Sequence, residues 1–367
     1  MKSCYIHIPF CNTICTYCDF CKVFYNKVWV DNYLKELEKE IKFNYKGEFL
    51  DTLYIGGGTP TCLNLKQLEQ LLKILTMINL SDNYEYTIEA NVETLSLEKI
   101  KLLKKFGINR ISIGVQSIVD KNIEFLGRKH NKKLVKEKVK ELKDNDFNNI
   151  NIDLIYALPV ENMEDLKEDL DFFLSLDIPH ISTYSLIIEP NTILYVNNIN
   201  NIDEEVDLKM YEYICHTLKK NGYIHYEVSN FSKQGYESKH NLTYWDNLEY
   251  YGFGLGASGY VNDIRYDNTR NIKEYLSGDY LKESVKIDAN VKIENEFILG
   301  LRKMVGINKK KFYDKYKFDI TEIKEVKKLL KENKLLENKD NIFINPKYIY
   351  TSNQILIEFL GGNYEQN

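Results

Sequence analysis

Residues 3–21 read Ser3-Cys-Tyr-Ile-His-Ile-Pro-Phe-Cys11-Asn-Thr-Ile-Cys15-Thr-Tyr-Cys18-Asp-Phe-Cys21. Ser3–Ile8 has the short apolar character of a β-strand, and the strand opens directly onto a loop carrying four of the chain's seven cysteines. The same theme of a strand leading into something else repeats downstream. Strands are predicted near Ser3–Ile8, Thr52–Ile55, Glu85–Ala90, Arg110–Val115, Asn149–Ala157 and His180–Ile188. Helical patterns fill the gaps at Trp29–Phe43, Leu65–Leu75, Leu97–Phe106, Leu134–Asn145, Met163–Leu176 and Glu204–Asn221. Leu68, Leu71, Leu72 and Leu75 recur at helical spacing, whereas Ile111, Ile113 and Val115 alternate as a strand does. Six successive strand–helix units imply a parallel sheet, because parallel neighbours need a crossover. Periodicity leaves an open doubly wound sheet and a full or partial barrel equally open.

Beyond residue 230 the pattern changes. Residues 231–290 are rich in Tyr, Asn and Gly, and an irregular segment is expected there. Helices near Glu296–Lys303, Lys309–Lys315 and Glu322–Lys334 follow, with a hairpin over Asn341–Ile349 and an apolar end at Gln354–Leu360. The expected organisation is therefore 1–230, 231–290 and a small winged-helix-like α+β unit over 291–367.

Composition narrows the function classes. The 367 residues are 44% hydrophobic and 28% charged, enough for a sizeable core. Lys+Arg 49 against Asp+Glu 54 leaves a net charge of −5, with no polycationic footprint for nucleic acid. No apolar run approaches the roughly 18 residues that cross a bilayer, and the N-terminus lacks a signal peptide's apolar stretch. A cytoplasmic protein without stable membrane insertion is expected. An odd number of cysteines, four of them within eleven residues, is unlike a secreted disulfide scaffold.

The spacing Cys11-x3-Cys15-x2-Cys18 carries the strongest chemistry. Thiolates hold zinc or iron–sulfur clusters. Three of them in one loop can take three corners of a cubane and leave the fourth iron open. The alternative is a structural zinc site with Cys21 as fourth ligand, although such sites usually come as two separated pairs.

This motif after a first strand, with Tyr17 before the last cysteine, resembles the radical SAM superfamily. The opening Tyr5-Ile-His-Ile-Pro-Phe-Cys11 narrows the resemblance to the oxygen-independent coproporphyrinogen III oxidases and their heme-chaperone branch, HemW. Gly56-Gly-Gly-Thr-Pro60, Glu89-Ala-Asn91, Arg110-Ile-Ser-Ile-Gly-Val-Gln116 and Asp153-Leu-Ile-Tyr-Ala-Leu-Pro159 agree, in order. The resemblance implies a partial (β/α)6 barrel, a [4Fe–4S] cluster on Cys11, Cys15 and Cys18, and S-adenosylmethionine on its open iron. It further implies cofactor contacts from Tyr5, Tyr17, Gly57, Gly58, Thr59, Glu89, Gln116, Arg128 and Asp153. Read without it, Glu89, Gln116 and Asp153 each sit at or near the C-terminal end of their strand, the side where parallel α/β sheets bind ligands. Singly, each is also a satisfied edge polar group, and Arg128 a solvated helix end.

Two details separate the branches. Oxidases resemble C-x3-C-x2-C-x-C, whereas this chain has Asp19-Phe20 there and Cys21 one residue later. Lys239-His240-Asn241-Leu-Thr-Tyr244-Trp245 matches the H-N-x-x-Y-W motif of the heme-chaperone branch. The resemblance thus implies a heme chaperone that passes heme to an acceptor protein, with an electron donor for the cluster. His240 is then an expected axial ligand, and Tyr244 and Trp245 expected porphyrin contacts; the plain alternative is aromatic packing. The competing function is coproporphyrinogen III decarboxylation with the same three cysteines. Two departures stand out: Ala157 where the family has Gly, and Val92 where it has Pro.

Overall fold

The computed structural model describes residues 2–362 and residue 364. All six predicted strands form: β1 (Ser3–Ile8), β2 (Leu50–Gly57), β3 (Leu80–Asn91), β4 (Arg110–Gln116), β5 (Asn149–Tyr156) and β6 (His180–Ser185). They lie side by side in chain order, each parallel to the next. The crossover helices Lys27–Asn44, Leu65–Leu75, Leu97–Lys105, Lys132–Asp144 and Met163–Ser175, and the helix Glu204–Lys220 after β6, match the predicted ones within a few residues.

Local chemistry explains where these helices begin. Asn26, Asn64, Ser96, Asn131, Asn162 and Asp203 each accept a backbone N–H of the first turn through the side chain. Such a cap is worth about 1 kcal/mol over alanine. Asn64 with Gln67, and Asn162 with Asp165, add reciprocal bonds.

Alternation along the strands then builds the interior. On β4, Ile111, Ile113 and Val115 are fully buried in the apolar core. Their neighbours Arg110, Ser112, Gly114 and Gln116 turn the other way, onto a cavity that β2, β3, β5 and β6 also line. The parallel sheet therefore curves around a polar inner face, as a partial (β/α)6 barrel does.

The expected irregular stretch 231–290 is instead regular. Beside β6, β8 (Asn230–Ser232) runs antiparallel to it and β7 (Ile224–Glu227) pairs antiparallel with β8 at the sheet edge, while β9 (Tyr250–Phe253) pairs parallel with the outer edge of β1. β10 (Ser258–Val261), β11 (Ile264–Asn268) and β12 (Leu281–Lys286) extend that edge antiparallel, giving one twelve-stranded sheet. The expected boundary at residue 230 falls inside β8, and Phe253, Leu255 and Tyr275 belong to the main core. Strands of four to six residues, dense in Tyr and Gly, carry too little alternation to be read from sequence.

A second cluster of buried side chains runs from Ile293 to Tyr364. Here helices Ala289–Gly300, Lys309–Tyr316 and Lys324–Lys331 pack with β13 (Ile307–Asn308), β14 (Leu335–Glu337) and β15 (Asn341–Ile344), antiparallel with β15 central. The hairpin partner of β15 precedes it, and residues Pro346–Tyr348 form a 3-10 turn where strand was expected.

Candidate active site

The cysteine loop leaves β1 and is closed by a short parallel pairing of Phe10–Cys11 with Val23–Phe24. Thr16 fastens its middle: the hydroxyl donates to the Phe125 carbonyl at 2.8 Å, and the Thr16 carbonyl accepts Leu194 N–H at 3.1 Å. Cys11 is buried and Cys15 and Cys18 half-buried, all three lining one cavity of about 280 Å³ at the C-terminal end of the strands. Tyr17, Gly57, Gly58, Thr59, Glu89, Gln116, Arg128 and Asp153 line the same cavity, so eight of the nine expected cofactor residues meet the cysteines.

Tyr5 does not. Its hydroxyl is 3.0 Å from His7 Nδ1, and its ring lines a separate shallow cleft with Cys21 and Tyr244. Cys21 is likewise outside the cysteine cavity, beside Gly256 and Arg270. Cys21 thus lies apart from the three thiols that line the cavity. A cubane takes one thiolate per iron. Cys4 and Cys62 are buried core thiols and Cys215 is half-buried.

The glycine triplet serves the protein's own groups. A Cβ on Gly57, whose φ is +113°, would lie 2.7 Å from the His7 ring, and one on Gly58 would lie 2.9 Å from the Cys11 sulfur. Glu89 accepts Tyr54 Oη at 2.8 Å and Gly57 N–H at 3.0 Å. Burial pushes its carboxyl up to about 7, with Asp153 adding to the push and the two donors opposing it. Asp153 is raised by burial as well. Gln116 is carried into the cavity by a left-handed backbone, φ +73° at the end of β4.

Polar atoms at this cavity remain unpaired. Gln116 Oε1 and Arg128 Nε are buried without a partner, an arrangement costing about 1–3 kcal/mol per group unless a polar ligand meets it. Burial pushes the Cys11 thiol up to about 11, and Cys18 is raised the same way, so metal loading releases protons. The donor set and the orphaned atoms thus fit a cluster bearing a polar ligand. Sequence reading missed Tyr54, Asn91, Ser112, Asn151, Ser182 and Tyr184 on the cavity wall. Period-two spacing from the flagged residues finds three of them: Asn91 follows Glu89, Asn151 precedes Asp153, and Ser112 lies four before Gln116.

The H-N-x-x-Y-W segment forms the helix Lys239–Trp245 on the barrel floor, packed through Thr243, His240 and its backbone against Ser3, Thr52 and Glu85 of β1–β3, and its Asn241, with the capping Ser238, lines the far side of the same cavity. His240 is 1% exposed, with Nδ1 2.7 Å from Thr52 Oγ1 and Nε2 2.8 Å from Tyr244 Oη, and it stacks on Tyr54. Glu85 accepts the His240 backbone N–H at 3.0 Å. Both ring nitrogens of this expected axial ligand are engaged in hydrogen bonds, and the ring plugs the barrel floor. Tyr244 shares that plug, and Trp245 lies under the Arg302 guanidinium, 5.9 Å from its ring centroid.

A family model described as the radical SAM superfamily matches residues 5–173. The heme chaperone HemW of Lactococcus lactis is 42% identical, covering 98% of this chain and 97% of the relative. That of Bacillus subtilis is 39% identical over 98% of this chain and 100% of the relative. The chain belongs to the HemW family of radical SAM proteins. Its fold is that of the coproporphyrinogen III oxidase HemN from Escherichia coli: TM-score 0.86, covering 98% of this chain and 89% of that one at 21% identity. Among the described residues no helix of this HemW-family chain is long and apolar enough to cross a membrane.

Proposed function

We propose that the chain is a heme chaperone: it binds heme, carries a [4Fe–4S] cluster on Cys11, Cys15 and Cys18 with S-adenosylmethionine beside it, and passes heme to an acceptor protein. The observation that carries this reading is end-to-end relatedness, at 42% and 39% identity, to proteins named heme chaperones. The branch position agrees, since Phe20 stands where the oxidase pattern places a further cysteine, and its ring is 63% exposed at the cavity mouth.

Within the cavity, roles follow from chemistry. Arg128, always cationic, suits a carboxylate. Glu89 and Asp153 are acceptors for an ammonium or for sugar hydroxyls, and Gln116 supplies an unpaired carbonyl oxygen. A bound cluster supplies one electron at a time from an external donor. The residues themselves bind, orient and exclude water.

Coproporphyrinogen oxidation is the second reading, favoured by the shared fold and the same three cysteines. One anaerobic experiment separates the two. Reconstituted protein receives S-adenosylmethionine and reductant with coproporphyrinogen III in one vessel and hemin in another. Retained heme, transferable to an acceptor, with no decarboxylated product is expected. Catalytic turnover to vinyl product contradicts the proposal.

A further inference from the structure

Asn91 follows Glu89 by one strand repeat and lies between two of the cysteines. Both Arg128 Nη1 and Nη2 donate to Asn91 Oδ1 at 3.1 Å, and Arg128 Nη1 also reaches Cys15 Sγ at 3.6 Å. On its other side Asn91 Nδ2 donates to Thr59 Oγ1 at 3.1 Å, and that oxygen is 3.6 Å from Cys11 Sγ. A guanidinium has donors only, so it fixes which end of the amide is oxygen. The amide nitrogen must then face Thr59. With its oxygen occupied as an acceptor, the Thr59 hydroxyl has its one proton free for the Cys11 sulfur. Room for this arrangement comes from Gly114, where a Cβ would lie 3.2 Å from Asn91 Oδ1.

We infer that Asn91 is a positioning residue that aims one hydrogen-bond donor at each of two cluster ligands, Thr59 at Cys11 and Arg128 at Cys15, and so raises the cluster's reduction potential. The inference rests on the cluster reading above. Hydrogen bonds to ligand sulfurs stabilise the more negative, reduced cluster. Losing them lowers the potential.

The test is an EPR-monitored redox titration of the full-length, anaerobically reconstituted chain, with iron content measured alongside. Thr59→Val keeps the side chain's shape and removes the proton; it is expected to lower the reduced-to-oxidised ratio at fixed potential by about tenfold, ~59 mV for a one-electron couple. Thr59→Ser keeps the hydroxyl and is expected to restore the wild-type value. Asn91→Ala is expected to lower the potential too, and the double variant by less than the two shifts summed, since both act on one proton. An unchanged potential in Thr59→Val, or no recovery in Thr59→Ser, overturns the inference even where Asn91→Ala fails to load. Strictly additive shifts overturn Asn91's part. Wild-type protein that takes up no iron overturns the cluster reading beneath it.

Discussion

Ala157 shows what one methyl costs. It stands where the family pattern has glycine, and its φ is +61°, in the left-handed region. The side chain is 1% exposed within the main core and does not line the cysteine cavity. The methyl therefore leaves the cavity mouth as it is; the cost is conformational, about 1 kcal/mol. Ala157→Gly is expected to raise the unfolding free energy by about 0.5–1 kcal/mol in urea titrations. A loss of stability instead means that the methyl's packing outweighs its strain. Val92, at the other departure, is fully buried at a 3-10 turn, so an apolar side chain fills the place of a ring.

At the scale of elements, the helix Lys27–Asn44 is joined to the outer sheet by one buried carboxyl. Glu40 accepts Gly254 N–H at 2.9 Å, Asn268 Nδ2 at 2.6 Å and Tyr275 Oη at 2.6 Å. Burial pushes it up to about 7 against these donors. From pH 4.5 to 7 the folded chain keeps a proton that the unfolded chain has lost, so this group's contribution falls as pH rises through that window. Glu40→Gln is expected to gain on wild type over that window by on the order of 2–3 kcal/mol, read from urea midpoints at successive pH values. A difference that stays flat with pH contradicts the assignment. The helix Lys239–Trp245 makes a second case. His240→Ala removes two side-chain hydrogen bonds and a stacked ring, and is expected to destabilise the fold by roughly 2–4 kcal/mol while heme retention persists. Heme lost at unchanged stability makes His240 a heme ligand instead.

Legibility followed the same scale. The six parallel strands were readable because Ile111, Ile113 and Val115 and their counterparts alternate cleanly and because Asn and Ser caps punctuate the helices. The cavity was readable at Glu89, Gln116 and Asp153, since each polar group lies in the C-terminal half of its strand next to buried apolar neighbours. The second tier, Ser112 and Asn151 among them, was not flagged because it sits mid-strand, where a polar residue is also an ordinary hydrogen-bonded core group. The role of His240 depends on contacts with Thr52, a separation of 188 residues that no local pattern encodes.

For the whole molecule, the twelve-stranded sheet puts opposite tasks at opposite ends. Loops and strands around one cavity bring three thiols, two carboxyls and the guanidiniums of Arg110 and Arg128 together; the plug at the N-terminal edge closes the barrel floor. In the proposed chaperone Cys11, Cys15 and Cys18 share one cubane that Cys21 does not ligate. Iron and sulfide content after anoxic reconstitution decides this. Wild type and Cys21→Ser are expected to hold about four of each per chain, and serine at residue 11, 15 or 18 to lose most of both. Full uptake by any one of those three variants, or loss on replacing Cys21, contradicts it.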